Sequence, residues 1–232
     1  MSDPGGQQDG GVAGGFRIQP GRLLLEICSL TERLDLAECF PRRQPVELEL
    51  GSGDGSFLCD LAARHPERNF VGVERLNGRL RKLDRKGQRL GLSNLRGVRI
   101  EAAYFLQYLV FPATLAAIHV YFPDPWPKIR HRARRLINEA FTGHAAQALA
   151  VGGVLHVRTD SADYFAQMRA VFAASPHFTP VDTPPELASL PTDFEREFNA
   201  RGLPTLRAAF RRVALILPPD PHNYRASVAG DK

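Results

Sequence analysis

Glu47-Leu48-Glu49-Leu50-Gly51-Ser52-Gly53-Asp54-Gly55 joins a short apolar run to a helical pattern, and its reading decides the fold. Residues 46–50 have the length and character of a buried strand. Glycines at 51, 53 and 55 allow a turn that other residues resist, and let its backbone approach a ligand closely. In open α/β sheets, cofactors bind at such a turn beyond a strand's C-terminal end. Spacing and charge narrow the ligand. A dinucleotide fingerprint needs G-x-G-x-x-G, whereas here Ser56 occupies the third glycine position and Gly55 falls one place early. Glu49, directly ahead of the turn, would repel a pyrophosphate and attract a cation. The pattern therefore favours the sulfonium compound S-adenosylmethionine over a nicotinamide dinucleotide.

Working outward, apolar runs and helical periodicities alternate. Helices are expected at 57–64, 78–90, 136–150 and 164–174. Strands are expected at 69–74, 95–102, 115–122 and 154–159, with a final pair near 177–181 and 205–217. This order predicts an α/β fold with a doubly wound, mostly parallel Rossmann-like sheet of seven strands, the last antiparallel. One domain is expected over residues 16–217, with 16–45 forming a helix and linker. The glycine-rich residues 1–15 and the segment 218–232 read as disordered tails. Glu74 falls 23 residues after Gly51, where a carboxylate can accept from both ribose hydroxyls; the alternative is an exposed Glu paired with Arg75. Glu101, at the expected end of the third strand, could accept an adenine amino group, as could the backbone of Ala102 and Ala103.

A second motif follows the strand at 115–122: Tyr121-Phe122-Pro123-Asp124-Pro125-Trp126-Pro127-Lys128-Ile129-Arg130-His131-Arg132-Ala133-Arg134-Arg135. It sets Asp124 in a proline-stiffened turn ahead of five cations. Cations at a helix start oppose its macrodipole, so their crowding there suggests a bound anion, although a solvated charge run around a structural turn is the alternative. Arg79, Arg81, Lys82, Arg85, Lys86 and Arg89 form another basic series, either phosphate contacts or a solvated helix face. Trp126 reads as wall or core rather than a stacking platform.

Lys and Arg outnumber Asp and Glu by 30 to 25, and the excess concentrates mid-chain, with seven basic against three acidic residues over 91–150. An anionic partner, nucleic acid rather than membrane, follows from that distribution. Cys28, Cys39 and Cys59 form no C-x-x-C pair, as in a reduced cytoplasmic protein. No signal peptide or membrane span is evident, and no metal site is expected.

With both motifs placed, residues from about 46 to 213 resemble the bacterial tRNA (guanine-N7)-methyltransferases, most specifically through the Phe122-to-Arg135 signature. The resemblance implies S-adenosylmethionine binding by Glu49, Gly51, Gly53, Gly55, Glu74, Glu101 and Asp124, with Asp124 also catalytic. It implies tRNA contacts at Lys128, Asp160, Thr192, Asp193, Phe194 and Glu195. Read without it, Asp160 is an N-cap and Thr192 with Glu195 a capping box. The chain departs from the family at Asp54, where Lys is usual, and at Ile129 and Ala133, which are often basic. Another methyl acceptor, or a noncatalytic RNA-binding role, is the competing reading. No obligatory protein partner is expected, and both monomer and homodimer are compatible with the sequence.

Overall fold

The computed structural model describes residues 15–214, so the expected tails 1–15 and 218–232, except Gly15, and the end of the expected last strand, 215–217, lie outside the described residues. The chain builds one nine-stranded sheet in the order β1-β2-β5-β4-β3-β6-β7-β9-β8. Five central strands, β3 (Val46–Leu50), β4 (Asn69–Val73), β5 (Leu95–Val98), β6 (Leu115–Tyr121) and β7 (Leu149–Thr159), run parallel. Helices α1 (Ser56–Arg64), α2 (Asn77–Arg89), α4 (Glu139–Ala148) and α5 (Ala162–Ala174) cross between or pack on them. The last strand, β9 (Leu206–Arg212), lies antiparallel between β7 and β8 (Phe178–Val181).

Both faces of the central strands are covered, which is why they are rich in aliphatic residues. Leu48, Leu50, Val71, Val73, Ile118 and Val120 fill one face with Phe141, Tyr164 and Met168 from α4 and α5. Phe57, Leu58 and Leu61 of α1 and Leu83 of α2 pack with Phe70 and Leu95 on the other.

The expectation for residues 16–45 is corrected. They form strands β1 (Phe16–Ile18) and β2 (Leu24–Ile27), an antiparallel hairpin that joins the sheet through β2 and β5, and a short 3-10 turn at Leu36–Cys39. That hairpin accounts for nine strands where seven were expected. It seats closely on α2: a Cβ at Gly87 would lie 2.5 Å from Leu23 Cδ1, so only glycine admits so near an approach.

β5 ends at Val98, and Glu101 caps α3 (Ala102–Tyr104) instead of ending the strand. Of the cations after Asp124, Arg130, Arg132 and Arg134 lie in a 3-10 turn, Ile129–Arg134, that Lys128 and Arg135 flank, and α4 begins beyond them at Glu139. They therefore do not crowd an α-helix N-terminus.

Candidate functional site

The site forms at the C-terminal ends of β3, β4 and β6, where the strand order switches direction about β3. Gly51, Gly53 and Gly55 adopt φ of +82°, +56° and +78°, the left-handed region that favours glycine. A Cβ at Gly51 or Gly53 would meet nothing within 4 Å, so the outer side of the turn is open to a ligand. Gly55 is fixed from behind, since a Cβ there would lie 2.6 Å from Leu83.

Glu74 shapes this turn. Its Oε2 accepts from the Gly53 backbone N–H at 3.1 Å and its Oε1 from that of Leu76 at 2.7 Å. Glu49 stands in contrast: it is 4 % exposed and its Oε2 is a buried oxygen without a hydrogen-bond partner, as is Ser52 Oγ. Burial, aided by the Asp54 and Glu74 carboxylates and opposed by Arg158, pushes the Glu49 carboxyl up to about 8. A donor-bearing cation placed here would satisfy the orphaned oxygen and restore the charge, so the residues fit a cationic ligand.

Period-2 alternation on β3, β6 and β7 turns a row of polar side chains toward α1. Glu47 Oε2 bonds His119 Nε2 at 2.8 Å, and His119 Nδ1 meets the Tyr121 hydroxyl at 2.9 Å. His156 stacks on His119 with ring centroids 5.2 Å apart. Arg158 lies 4.2 Å above the Tyr121 ring and donates to Glu195 Oε2 at 2.5 Å and to the Leu187 and Leu190 carbonyls. The sequence reading missed this layer. A His or Arg inside an aliphatic strand run was the available signal, because such a group is buried only with partners.

Asp124 is exposed on the turn after β6. Phe122 and Trp126, two residues to either side, have φ of +50° and +42°. Non-glycine residues reach that region at a cost of roughly 1–2 kcal/mol each, so the turn is held in shape by its surroundings. Phe122 N–H donates to the Arg158 carbonyl at 2.8 Å, and Arg135 Nε to the Pro125 carbonyl at 2.8 Å. Arg135 is itself 2 % exposed and pairs with Asp163, so one of the five tract cations serves the fold. Arg132 also reaches Asp163, at 2.9 Å, and Arg134 covers Trp126 at 5.1 Å, while Lys128 and Arg130 are exposed without an ion pair among the described residues.

The remaining expected site residues divide. Glu101 is exposed, and its oxygens accept from the Ala103 and Tyr104 backbone N–H groups at 3.0 and 2.7 Å. Asp160 is exposed after β7 and is not an N-cap, because Ser161 caps α5. Thr192 and Glu195 form the capping box of α7 (Asp193–Ala200), which follows the short helix α6 (Pro185–Ser189). Glu195 is fully buried and also takes Arg207 at 2.8 Å; burial pushes its carboxyl up, but the Thr192 backbone and both arginines outweigh this and lower it. Asp193 and Phe194 face outward. Asp193 Oδ2 lies 2.6 Å from the Ser56 hydroxyl at the end of the glycine turn, and the Phe194 and Phe198 rings lie 6.0 and 5.8 Å from Phe122. The structure thus brings α7 against both the glycine turn and the Asp124 turn. Asp54, at the position where the resembled family usually has Lys, pairs with Lys86 Nζ at 2.7 Å.

Residues 43–208 match the family model described as "Putative methyltransferase". The tRNA (guanine-N(7)-)-methyltransferase of Sodalis glossinidius is 39 % identical, over 73 % of each chain, and that of Alkalilimnicola ehrlichii is 37 % identical, over 73 % of this chain and 72 % of the other. That of Bordetella pertussis is 42 % identical over 62 % of this chain, which spans 56 % of that relative's length. Among solved structures, the 16S rRNA methyltransferase KamB shares the fold with a TM-score of 0.56 at 17 % identity, covering 74 % of this chain and 89 % of its own. No helix of the described residues is long and apolar enough to cross a membrane. On the extent of the family-model match and the identity to the Sodalis and Alkalilimnicola proteins, this chain belongs to the tRNA (guanine-N(7)-)-methyltransferase family.

Proposed function

We propose that this protein transfers a methyl group from S-adenosylmethionine to N7 of the variable-loop guanosine, position 46, of tRNA. The observation that carries the reading is the juxtaposition of two turns on neighbouring strands. One follows β3, whose Glu49 has a buried carboxyl oxygen without a partner; the other follows β6 and holds the exposed Asp124 between two strained residues.

S-adenosylmethionine, when bound, supplies an electrophilic methyl group on a cationic sulfur. Glu49 gives that cation a carboxylate in a site with little water. Glu74, locked by two backbone donors, keeps acceptor capacity for the ribose hydroxyls. Guanine N7 carries an in-plane lone pair and no proton, so the chain need not provide a general base, and orientation dominates. Asp124 accepts from the N–H edge of the base and stabilises the positive charge that develops on the purine. Phe194 and Asp193 flank the acceptor from α7, with Thr192 and Glu195 holding that helix in place and Asp160 approaching from the end of β7. Lys128 and Arg130 meet the RNA backbone. Glu101, whose oxygens each accept one backbone N–H, likewise keeps lone pairs free to accept from the adenine amino group.

The reading is tested by incubating the protein with labelled S-adenosylmethionine and unmodified tRNA transcript, then identifying the modified nucleoside by mass spectrometry. 7-Methylguanosine that disappears when the variable-loop guanosine is replaced is the expected product. Cofactor binding without transfer to any tRNA would overturn it.

A further inference from the structure

The hairpin that sequence reading missed creates a surface on the far side of the glycine turn from Asp124. Arg22, between β1 and β2, joins Arg81 and Arg99 in lining a cavity of about 330 Å³ against α2, and Arg22, Arg81 and Arg85 line an adjoining cavity of about 510 Å³. Arg22 is anchored: it pairs with the buried Asp84 at 3.0 Å, and the Leu23 N–H donates to the same carboxylate at 2.8 Å. Asp84 is the only acid on α2, and this pairing consumes it.

The exposed face of α2 is therefore uncompensated. Among the described residues, Arg79, Arg81, Lys82, Arg85 and Arg89 form no ion pair. Arg81, Arg85 and Arg89 follow one another at i,i+4, a spacing at which like charges weaken a helix. Arg79 sits in the first turn, opposing the macrodipole, and no side chain caps that end. A solvated helix face would carry acids at these spacings; this one carries a cation at every turn, about 5.4 Å apart, and opens into two arginine-lined hollows. A row of this kind fits a linear polyanion better than a single ion.

We propose that the groove between the hairpin and α2 binds the phosphodiester backbone of the substrate tRNA, giving it a second grip on the side of the cofactor turn opposite the basic turn after β6. The inference rests on the tRNA reading of the site. Arginine suits the role because its planar fork meets phosphate oxygens in pairs.

The test is a set of binding isotherms of the full chain with unmodified tRNA transcript at several salt concentrations, for wild type and for the triple variant Arg81→Gln, Arg85→Gln, Arg99→Gln. We expect at least about tenfold weaker binding at low salt, and a plot of log affinity against log salt shallower by about 0.7–0.9 for each phosphate that the variant leaves unneutralised. The matching Arg→Lys triple variant should keep most of the slope, and S-adenosylmethionine affinity by calorimetry should match wild type in both. An unchanged slope in the glutamine variant, or an equal loss in the lysine variant, would overturn the proposal. So would a wild type that binds anionic lipid vesicles through these arginines and not tRNA. These isotherms need no methyl transfer, so product analysis judges the reaction separately.

Discussion

Glu47 and Glu49 sit two residues apart on the same face of β3, 5 % and 4 % exposed, and end in opposite states. Burial pushes both carboxyls up. At Glu47 the hydrogen bond and charge of His119, with Arg68 2.9 Å away, outweigh burial and bring the group down to about 2. At Glu49 nothing outweighs it, and the carboxyl rises to about 8 with one oxygen unpartnered. One strand therefore contains a finished interaction near its start and an unfinished one at its rim. The interior polar layer, Glu47 with His119 and Arg158 with Glu195, is paired within the chain. The rim groups, Glu49 and Asp124, have their chemistry directed outward, and the two regions should answer mutation differently.

The largest effect should come from the interior. Glu195→Ala removes the carboxylate from Arg158, whose side chain is 1 % exposed, and strands a guanidinium in the core. Breaking a buried pair in this way costs about 3–5 kcal/mol, readable as a lower urea midpoint. A variant of normal stability that loses only tRNA affinity would move Glu195 to the rim. Asp124→Ala is the converse: turnover should fall about 100- to 1000-fold with the melting temperature unchanged, because the side chain is exposed. A loss of stability in step with activity would break the contrast from that side.

Glu47 gives the interior a pH signature. Its folded carboxyl lies below its ordinary value of 4.5, so its stabilisation is fully present above pH about 4.5 and is lost as pH falls through about 2. Acid unfolding should show a contribution on the order of 3 kcal/mol in that window, absent in Glu47→Gln. A flat profile would mean that His119 and Arg68 do not hold the carboxylate.

The legibility of these regions in the sequence follows from how local their determinants are. The 46–55 stretch could be read because a short aliphatic strand and glycines at positive φ are set by nearby residues. The hairpin at 16–27 could not, because strands of three and four residues exist through pairing with β5, some 70 residues away. Glu101 reads as a strand end because Val98 and Ile100 extend an aliphatic run, which the helix Ala102–Tyr104 that Glu101 caps then interrupts. Asp124 was legible as a position; that Arg135 is buried beneath its turn depends on Asp163 and Gln167 of a later helix. The capping box of Thr192 and Glu195 was visible as a spacing, but the arginines that bury Glu195 come from β7 and β9.

The smallest effect is the sharpest test of the rim. With its folded carboxyl raised above its ordinary value of 4.5 to about 8, Glu49 contributes stability to the unliganded protein that is fully present below pH about 4.5 and lost as pH rises through about 8. At neutral pH the group is mostly protonated and offers a cation no charge. Binding a sulfonium or ammonium group beside it must pull the carboxyl down and expel the proton. Calorimetry with S-adenosylmethionine at pH 7 should therefore release close to one proton per site, seen as a binding heat that varies with the buffer's ionisation enthalpy. Affinity should rise about tenfold between pH 7 and 9 and then level off, since one pKa unit is worth about 1.4 kcal/mol. Glu49→Gln keeps the shape and removes both effects. If the heat is the same in every buffer, Glu49 is ionised before the ligand arrives, and the distinction between the two ends of β3 reduces to burial without a difference in charge.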